Sequence, residues 1–276
     1  MNKFIPKYVQ RAAPNEYLMQ TERNMKNLAK ELLSGIIPEK EEEVVLLIDE
    51  PKDYFDNLTA QALYQYSQHP LRQLRRFVKE LGEEKKKEIL FTYNGNRKNR
   101  RDRPGRAFEF GYPFCFDLIG DFGIYRDLHR ERMKTQQRQN LTARLGRFIP
   151  DEIVEIGWKD RVAEAFESSE SLYEKLLPEY PEESQYVVLF GHNVRWYQGE
   201  NLREAMHEFE LRTIPQGHPS YRKMSQKMHS KIIEFNPEIA DLMKFVDYND
   251  YYWSRAESEA RQRRGEQKLD LKYEKR

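Results

Sequence analysis

The apolar residues of this sequence come in short runs, and these runs set where strands can form. The run VVLLI at 44–48 has the length of a strand and is followed by the polar sequence DEP. In FGYPFCFDLIG at 110–120, Phe114, Phe116 and Leu118 alternate with other residues, a spacing that indicates a half-buried strand. Two further strands are predicted at 86–93 (KKEILFTY) and 186–190 (YVVLF).

Helical spacing dominates most of the sequence between these runs. Helices are predicted at 15–34, 59–81, 150–178, 200–213 and 220–235. The second of them is expected to break around His69 and Pro70, because proline disfavours helical geometry in the residue before it. Beyond Trp253 the sequence is almost wholly charged, which predicts a frayed helix or a disordered tail.

Composition narrows the class of protein. Charged residues make up 34% of the 276 residues and nearly cancel to a net charge of +1. This balance argues against a globally basic nucleic-acid binder but not against a local basic patch. Cys115 is the single cysteine, which rules out an intramolecular disulfide and a cysteine-based zinc site. Because the histidines show no tight ligand spacing either, we expect no metal site.

The hydropathy pattern bears on localisation. Mean hydropathy is −0.93, and no apolar run approaches the roughly 20 residues that a membrane-spanning helix needs. The N-terminal sequence MNKFIPKYVQRAAPNEY lacks the apolar core of a secretory signal. We therefore expect a soluble, cytoplasmic protein.

The helix predicted at 200–213 has a clear start and two distinct faces. Asn201 can cap it, and Glu204 three residues later completes a capping-box pattern. Arg203 and His207 share one side of the helix. Glu208 lies four residues before Arg212, and we expect these two side chains to pair.

Two interpretations of this helix are open. An amphipathic helix with a solvated polar face explains the pattern by itself. The sequence TIPQGHPSYR that follows breaks the helix and keeps His218, Tyr221 and Arg222 close by. Polar side chains on a helix end beside a rigid turn suit a bound anion or a planar heterocycle.

Two basic segments flank the aromatic strand. NGNRKNRRDRPGR at 94–106 is a loop by its Asn, Gly and Pro content. It is either a solvated surface loop or a contact for phosphate or RNA. RDLHRERMKTQQRQNLTAR at 126–144 is strongly charged and has little to bury. The sequence contains neither a GxGxxG fingerprint nor a phosphate-loop spacing, so an ordinary Rossmann or P-loop site has no support.

The second basic segment and the helix together resemble a known family. RDLHRERMKT at 126–135, followed by QNLTAR at 139–144, is similar to the signature of flavin-dependent thymidylate synthases. NLREAMHEFELR at 201–212 resembles the helix Asn-x-Arg-x-x-x-(Asn or His)-x-x-x-x-Arg of that family, with all four marked positions filled. The resemblance runs from about residue 44 to residue 255.

The resemblance implies a mixed α/β fold with a central sheet packed by long helices, assembled as a homotetramer that holds FAD between subunits. In that family NADPH reduces FAD, and the methylene of methylenetetrahydrofolate passes to dUMP to give dTMP. No enzyme cysteine attacks the uracil, which agrees with a chain that has no well-placed thiol.

The resemblance also implies roles for individual residues. Five side chains are expected at FAD, its phosphates, ribose or ring edge: Arg130, Arg132, Asn201, Arg203 and His207. Three are expected at the pyrimidine nucleotide: Thr142 and Arg144 at its phosphate and ribose, and Arg212 at the uracil. Arg212 is the expected catalytic residue, because a fixed guanidinium can stabilise negative charge that develops on the ring.

Several positions depart from the family pattern. Glu131 replaces the signature histidine, which puts a carboxylate among groups expected to contact an anionic cofactor. Asn140 stands where the family has glutamate, and Thr142 where it has serine. Asp127 takes the place of a glutamine that contacts dUMP, and Tyr186 that of an arginine on the strand before the helix. The nucleotide half of the pattern is therefore less well kept than the flavin half.

The expected organisation is an N-terminal helical extension at 1–43, a flavin- and nucleotide-binding domain at 44–255 and a charged tail at 256–276. Two other functions are compatible with the sequence. One is a catalytically degenerate relative that serves as a partner subunit, as the departures indicate. The other is an RNA-binding protein that uses the basic loop 94–106.

Overall fold

The computed structural model describes residues 14–37, 43–48, 51–251 and 254–273, and the chain divides into two compact units, Met1–Glu42 and Glu43–Arg276. In the first unit, helix α1 (Glu16–Leu32) begins at Asn15, whose side chain accepts a hydrogen bond from the amide of Leu18 at 3.1 Å. This helix confirms the prediction at 15–34.

The second unit is built on a four-stranded antiparallel sheet. Its strands are β1 (Val45–Leu47), β2 (Phe114–Asp121), β3 (Thr135–Arg138) and β4 (Asn193–Glu200), in the order β1-β2-β4-β3. β2 pairs with β4 over its whole length, from Phe114 opposite Glu200 to Asp121 opposite Asn193. The strands expected at 44–48 and 110–120 are both present.

The other elements of this unit are helices. In chain order they are α2 (Tyr54–Tyr64), α3 (Leu71–Lys79), α4 (Glu83–Asn94), α5 (Phe122–Leu128), α6 (Asp151–Glu155), α7 (Lys159–Leu176), α8 (Leu202–Arg212), α9 (Pro219–Phe235), α10 (Pro237–Ala240) and α11 (Ser254–Tyr273). Short 3₁₀ helices lie at Arg106–Glu109 and Glu183–Val187. The predicted break around Pro70 separates α2 from α3. In the part of the chain that the structure describes, no helix is long and apolar enough to cross a membrane.

The core joins β2 to α8. The alternating residues of β2 are fully buried, and the ring of Phe116 meets that of Phe209 edge-to-face, with 6.3 Å between their centroids. Leu202, Ala205 and Met206 of α8 are buried with Phe209, so one face of this helix is held against the sheet. The aromatic strand therefore lies beneath the helix that carries the second motif.

Two of the predicted strands are wrong. Residues 86–93 lie within α4, which buries Lys86, Leu90 and Asn94. This four-residue spacing is helical, and the acidic first turn favours a helix start. Residues 186–190 follow a 3₁₀ helix, and the amide of Val188 bonds locally to the carbonyl of Gln185 instead of to a strand.

The sheet contains two strands that the sequence did not indicate. The inward-facing side chains of β4 are Val194, Trp196, Gln198 and Glu200, and all four are buried. Because two of them are polar, the sequence of this strand shows no alternation of apolar and polar residues. β3 has the sequence TQQR and lies in the basic segment 126–144. That segment is thus the end of α5, a loop, an edge strand and a second loop.

Candidate functional site

Helix α8 positions most of the candidate residues. The Asn201 side chain accepts a hydrogen bond from the amide of Glu204 at 3.0 Å, which confirms the predicted cap. With one face buried on the sheet, Arg203, His207 and Glu210 follow one another on another face at intervals of four and three residues. The expected Glu208–Arg212 pair is wrong, because both side chains bind partners outside the helix.

Glu131 joins the two motif segments. Arg212 donates from Nη2 to Glu131 Oε1 at 2.5 Å, and His207 Nε2 lies 3.6 Å from Glu131 Oε2. The Glu131 side chain is only 9% exposed. The guanidinium of Arg212 also lies 5.6 Å from the centre of the Tyr221 ring, within the range of a cation–π contact. Glu131, which replaces the signature histidine, therefore lies against the positively charged side chain of Arg212 and the imidazole of His207.

Arg130 and Arg132 stand on either side of Glu131 and are exposed. They line a cavity of about 510 Å³ together with His129, Glu131, Lys134 and Gln136. Both polar atoms of the Gln136 side-chain amide are buried and have no hydrogen-bond partner among the described residues. The structure thus places His207 and Arg212 at the Glu131 carboxylate, with Arg130 and Arg132 along the same cavity as Glu131.

Arg203 has a separate partner at the other end of α8. It binds Glu109, the last residue of the 3₁₀ helix Arg106–Glu109. Burial raises the pKa of Glu109, but hydrogen bonds from Arg106 and Arg203 outweigh this and lower it overall. The Nε atoms of Arg203 and Arg212 are buried and have no hydrogen-bond partner in the described part of the chain, so each guanidinium keeps one donor for another acceptor.

A cluster of glutamates lies beneath these residues. Lys134 Nζ binds Glu208 at 2.6 Å, and both side chains are fully buried. The side chain of Gln198 contacts both of them, at 3.1 and 3.3 Å. Burial and the charge of Glu208 raise the pKa of Glu200 well above its usual value and that of Glu204 to about 7. The two carboxyl groups therefore favour their neutral forms.

The basic loop 94–106 is fastened to α8 and is not simply a solvated loop. Arg97 donates from both Nη atoms to Glu210, at 2.7 and 2.5 Å, and both side chains are buried. Its Nε donates to the carbonyl of Asp102. The Asp102 carboxylate in turn accepts the amides of Lys98 and Asn99. Arg97, an arginine of the loop that the RNA-binding hypothesis uses, is therefore structural.

The positive charges of this loop act on the pKa of His207. Burial lowers the pKa of His207, Glu131 acts in the opposite direction, and the charges of Arg103 and Arg100 lower it further. The net effect favours the neutral imidazole. Nothing in the sequence indicated that the basic loop would contact this helix.

Thr142 and Arg144, expected at the phosphate and ribose of the nucleotide, have partners other than Glu131 and α8. Arg144 binds Glu174 of α7 through Nε and Nη2, at 2.7 and 2.6 Å, and Thr142 accepts a hydrogen bond from the amide of Arg144. Tyr186 does not lie on the strand before α8, as expected, but in the 3₁₀ helix Glu183–Val187, where it is 91% exposed. Arg222 lies close to the end of α8, as expected, but it is buried and donates to the carbonyls of Thr213 and Asn249.

Asp127 and Asn140 complete the departures from the family pattern. Asp127 is half-buried on α5, and Asn140 is exposed in the loop after β3. Among the described residues, no group of three or more His, Cys, Asp or Glu side chains is arranged to hold a metal ion.

Comparison with known proteins identifies the family. Residues 47–238 match the sequence model of the thymidylate synthase complementing proteins. The chain belongs to this family. A UPF0159 protein of Chlamydia muridarum is 34% identical over 269 residues, which are 95% of this chain and 50% of that relative. A UPF0159 protein of Thermoplasma acidophilum is 33% identical over 175 residues, 63% of this chain and 35% of the relative.

The fold agrees with this assignment. The structure is similar to the UMP/dUMP methylase PolB of Streptomyces cacaoi, solved with bound 5-Br dUMP, at a TM-score of 0.53 and 15% identity. The match covers 72% of this chain and 93% of PolB. The expected mixed α/β fold of the thymidylate synthase complementing family is thereby confirmed. The chain spans about half the length of the chlamydial relatives that it matches.

Proposed function

We propose that this protein is an FAD-dependent, thymidylate synthase-like enzyme that transfers the methylene of methylenetetrahydrofolate to dUMP, with NADPH as reductant. One observation carries the proposal beyond family membership. The two motif segments meet through the hydrogen bond between Glu131 and Arg212, which are 81 residues apart. His207 lies at the same carboxylate. The polar face of α8 and the basic segment 126–144 therefore contribute to one site.

The donors at this site suit FAD. Arg130 and Arg132 are exposed beside a cavity, and the buried Nε of Arg203 is without a partner among the residues that the structure describes. Guanidinium groups bind phosphate oxygens and stack on planar rings. Bound FAD would supply the hydride chemistry that the side chains of this chain lack. Arg130, Arg132, Asn201, Arg203 and His207 remain the proposed FAD-binding residues, and Asn201 already uses its oxygen as the helix cap.

Arg212 is the proposed catalytic residue. Its side chain is held by Glu131 and by the ring of Tyr221, so its position is fixed before substrate arrives. A guanidinium keeps its positive charge at all working pH values, and a prepositioned charge stabilises negative charge that develops on a uracil ring. Thr142 and Arg144 remain proposed for the nucleotide phosphate and ribose. For this role Arg144 has to exchange Glu174 for a ligand.

Flavin content and tritium release test the proposal. Purified protein is expected to show flavin absorption that NADPH bleaches, and to release tritium from dUMP labelled at C5 when folate and NADPH are supplied. Arg212→Ala is expected to abolish release while flavin stays bound, whereas His207→Ala weakens flavin binding. Arg76→Ala, an exposed change on α3, serves as the control. Colourless protein that takes up no added FAD contradicts the proposal.

A second function is favoured by the same ion pairs. Glu109, Glu131 and Glu174 neutralise Arg203, Arg212 and Arg144 respectively. A chain whose site arginines are paired internally suits a catalytically degenerate partner subunit of the family. Protein that binds FAD, fails to release tritium by itself and restores release in a mixed assembly with an active family member supports this second function. Light scattering of the purified chain tests the proposed homotetramer in the same preparation.

A further inference from the structure

The basic loop crosses the polar face of α8. Glu109 binds Arg203 in the first turn of the helix, and Arg97 binds Glu210 near its end. His207 lies between these two anchor points on the same face. The segment from Lys98 to Phe108 is therefore fastened at both ends across the turn of α8 that carries His207.

The loop is internally braced and presents cations that have no acidic partner. The Asp102 carboxylate bonds to the amides of Lys98 and Asn99, and Asn99 Oδ1 accepts the amide of Arg101. Within the described part of the chain, neither Arg100 nor Arg103 forms a side-chain hydrogen bond or an ion pair. In contrast, the motif arginines of α8 both bind carboxylates. Arg100 and Arg103 are thus available to an anion in a preorganised loop.

We propose that Arg100 and Arg103 bind the phosphate groups of a flavin dinucleotide next to His207. This inference rests on the proposed FAD-dependent function and adds two residues that lie outside the family motifs. The positive charges of both residues already act on the imidazole. Arg130 and Arg132 line a cavity beside Glu131, and the Glu131 carboxylate lies 3.6 Å from His207, so further cations stand near the place proposed for the pyrophosphate.

The alternative anions suit this place less well. The residues proposed for the dUMP phosphate, Thr142 and Arg144, lie with α7 and not with the basic loop. A single-stranded RNA needs a groove in which the loop cations line up along the backbone, but Arg97 is turned inward to Glu210. A short anion held beside α8 agrees with both observations.

Two double variants with equal charge loss test the inference. Arg100→Gln with Arg103→Gln removes the two charges that act on His207. Lys98→Gln with Arg101→Gln removes two exposed charges of the same loop. FAD and riboflavin, which lacks phosphate, are titrated against each variant by flavin fluorescence. The first variant is expected to bind FAD about tenfold or more weakly and riboflavin unchanged. The second is expected to bind FAD like the parent protein, and Arg100→Lys with Arg103→Lys recovers part of the affinity.

A second readout does not depend on a ligand. Because Arg103 and Arg100 lower the pKa of His207, their neutralisation is expected to raise that pKa in an NMR titration of the free protein. Lys98→Gln with Arg101→Gln is expected to leave it in place. If the pKa of His207 is unchanged in both double variants, Arg100 and Arg103 do not lie beside His207 and the inference is overturned.

The outcomes separate this inference from the proposed function. If the parent protein binds no FAD, the proposed function fails and the inference fails with it. If the parent binds FAD and the Arg100/Arg103 variant binds it equally well, only the inference is overturned. Equal weakening by both double variants, loss of dUMP affinity in place of FAD affinity, or loss of single-stranded RNA binding alone also overturns it.

Discussion

Replacement of Glu131 by glutamine removes the carboxylate that Arg212 and His207 share. Glutamine keeps the shape and one acceptor oxygen, so Arg212 keeps a hydrogen bond but loses its counter-charge. Removal of one partner of a buried ion pair costs about 3 kcal/mol or more. For a chain of this size the expected decrease in Tm is about 6–12 °C. The cost arises because the Arg212 side chain, 14% exposed, is only partly solvated.

The same change is expected to strengthen anion binding. A unit charge about 5 Å from a phosphate contributes roughly 3 kcal/mol of repulsion at an effective dielectric of about 20, before screening by salt. Part of this repulsion is lost with Glu131. FAD or dUMP is therefore expected to bind about tenfold more tightly to Glu131→Gln, even though the folded state is less stable. Differential scanning calorimetry and flavin or nucleotide titration measure the two effects on one preparation.

The opposite signs of the two effects make the prediction specific. Glu174→Gln is the matched control, because it breaks the exposed Arg144–Glu174 pair, and exposed pairs contribute little to stability. If Glu131→Gln lowers both the Tm and the anion affinity, Glu131 orients Arg212 for the ligand and does not compete with the ligand. The argument that the Glu131 carboxylate repels the bound anion is then refuted.

Three other predictions follow from the buried charges. Lys134→Met leaves the buried Glu208 carboxylate without its ion-pair partner. The free energy of unfolding in urea is expected to fall by about 3–5 kcal/mol. The double variant Lys134→Met with Glu208→Gln is expected to lose less. Burial and Glu208 raise the pKa of Glu204 from 4.5 to about 7. Its neutral form thus favours the folded state, and up to ~3 kcal/mol of stability is lost as pH rises between those values. Glu204→Gln should flatten that decline, and a parent protein that gains stability over this range refutes the reasoning. Glu210→Gln weakens the buried bidentate pair with Arg97 and is expected to speed tryptic cleavage of the basic loop several-fold, whereas a cleavage rate equal to that of the parent contradicts the tether.

The parts of the fold that the sequence predicted are those with local signals. Asn201 and Glu204 stand three residues apart and define the start of α8, as the structure confirms. Phe114 and Phe116 reveal β2 by their alternation. β4 was not predicted because Gln198, a polar residue, faces the core at a position where the pattern of a half-buried strand requires an apolar residue. Its amide is needed there to bind Glu208.

The partners of the site residues have no local signal at all. Glu131 meets Arg212 across 81 residues, Glu109 meets Arg203 across 94, and Lys134 meets Glu208 across 74. Such pairs depend on the order of strands in the sheet, which places β3 beside β4. The family resemblance supplied the positions of the arginines. It marked Glu131 as a departure from the pattern, but it indicated neither its pairing with Arg212 nor the pairing of Glu109 with Arg203.

Helix α8 interleaves two sets of side chains within Leu202–Arg212, one buried on the sheet and one bound to loops. Insertion or deletion of a single residue before Phe209 would turn everything downstream by about 100°. The Phe209 ring would then leave Phe116, and the guanidinium of Arg212 would point toward apolar neighbours. Divergence in this segment is thus confined to exchange of one side chain for another at constant length.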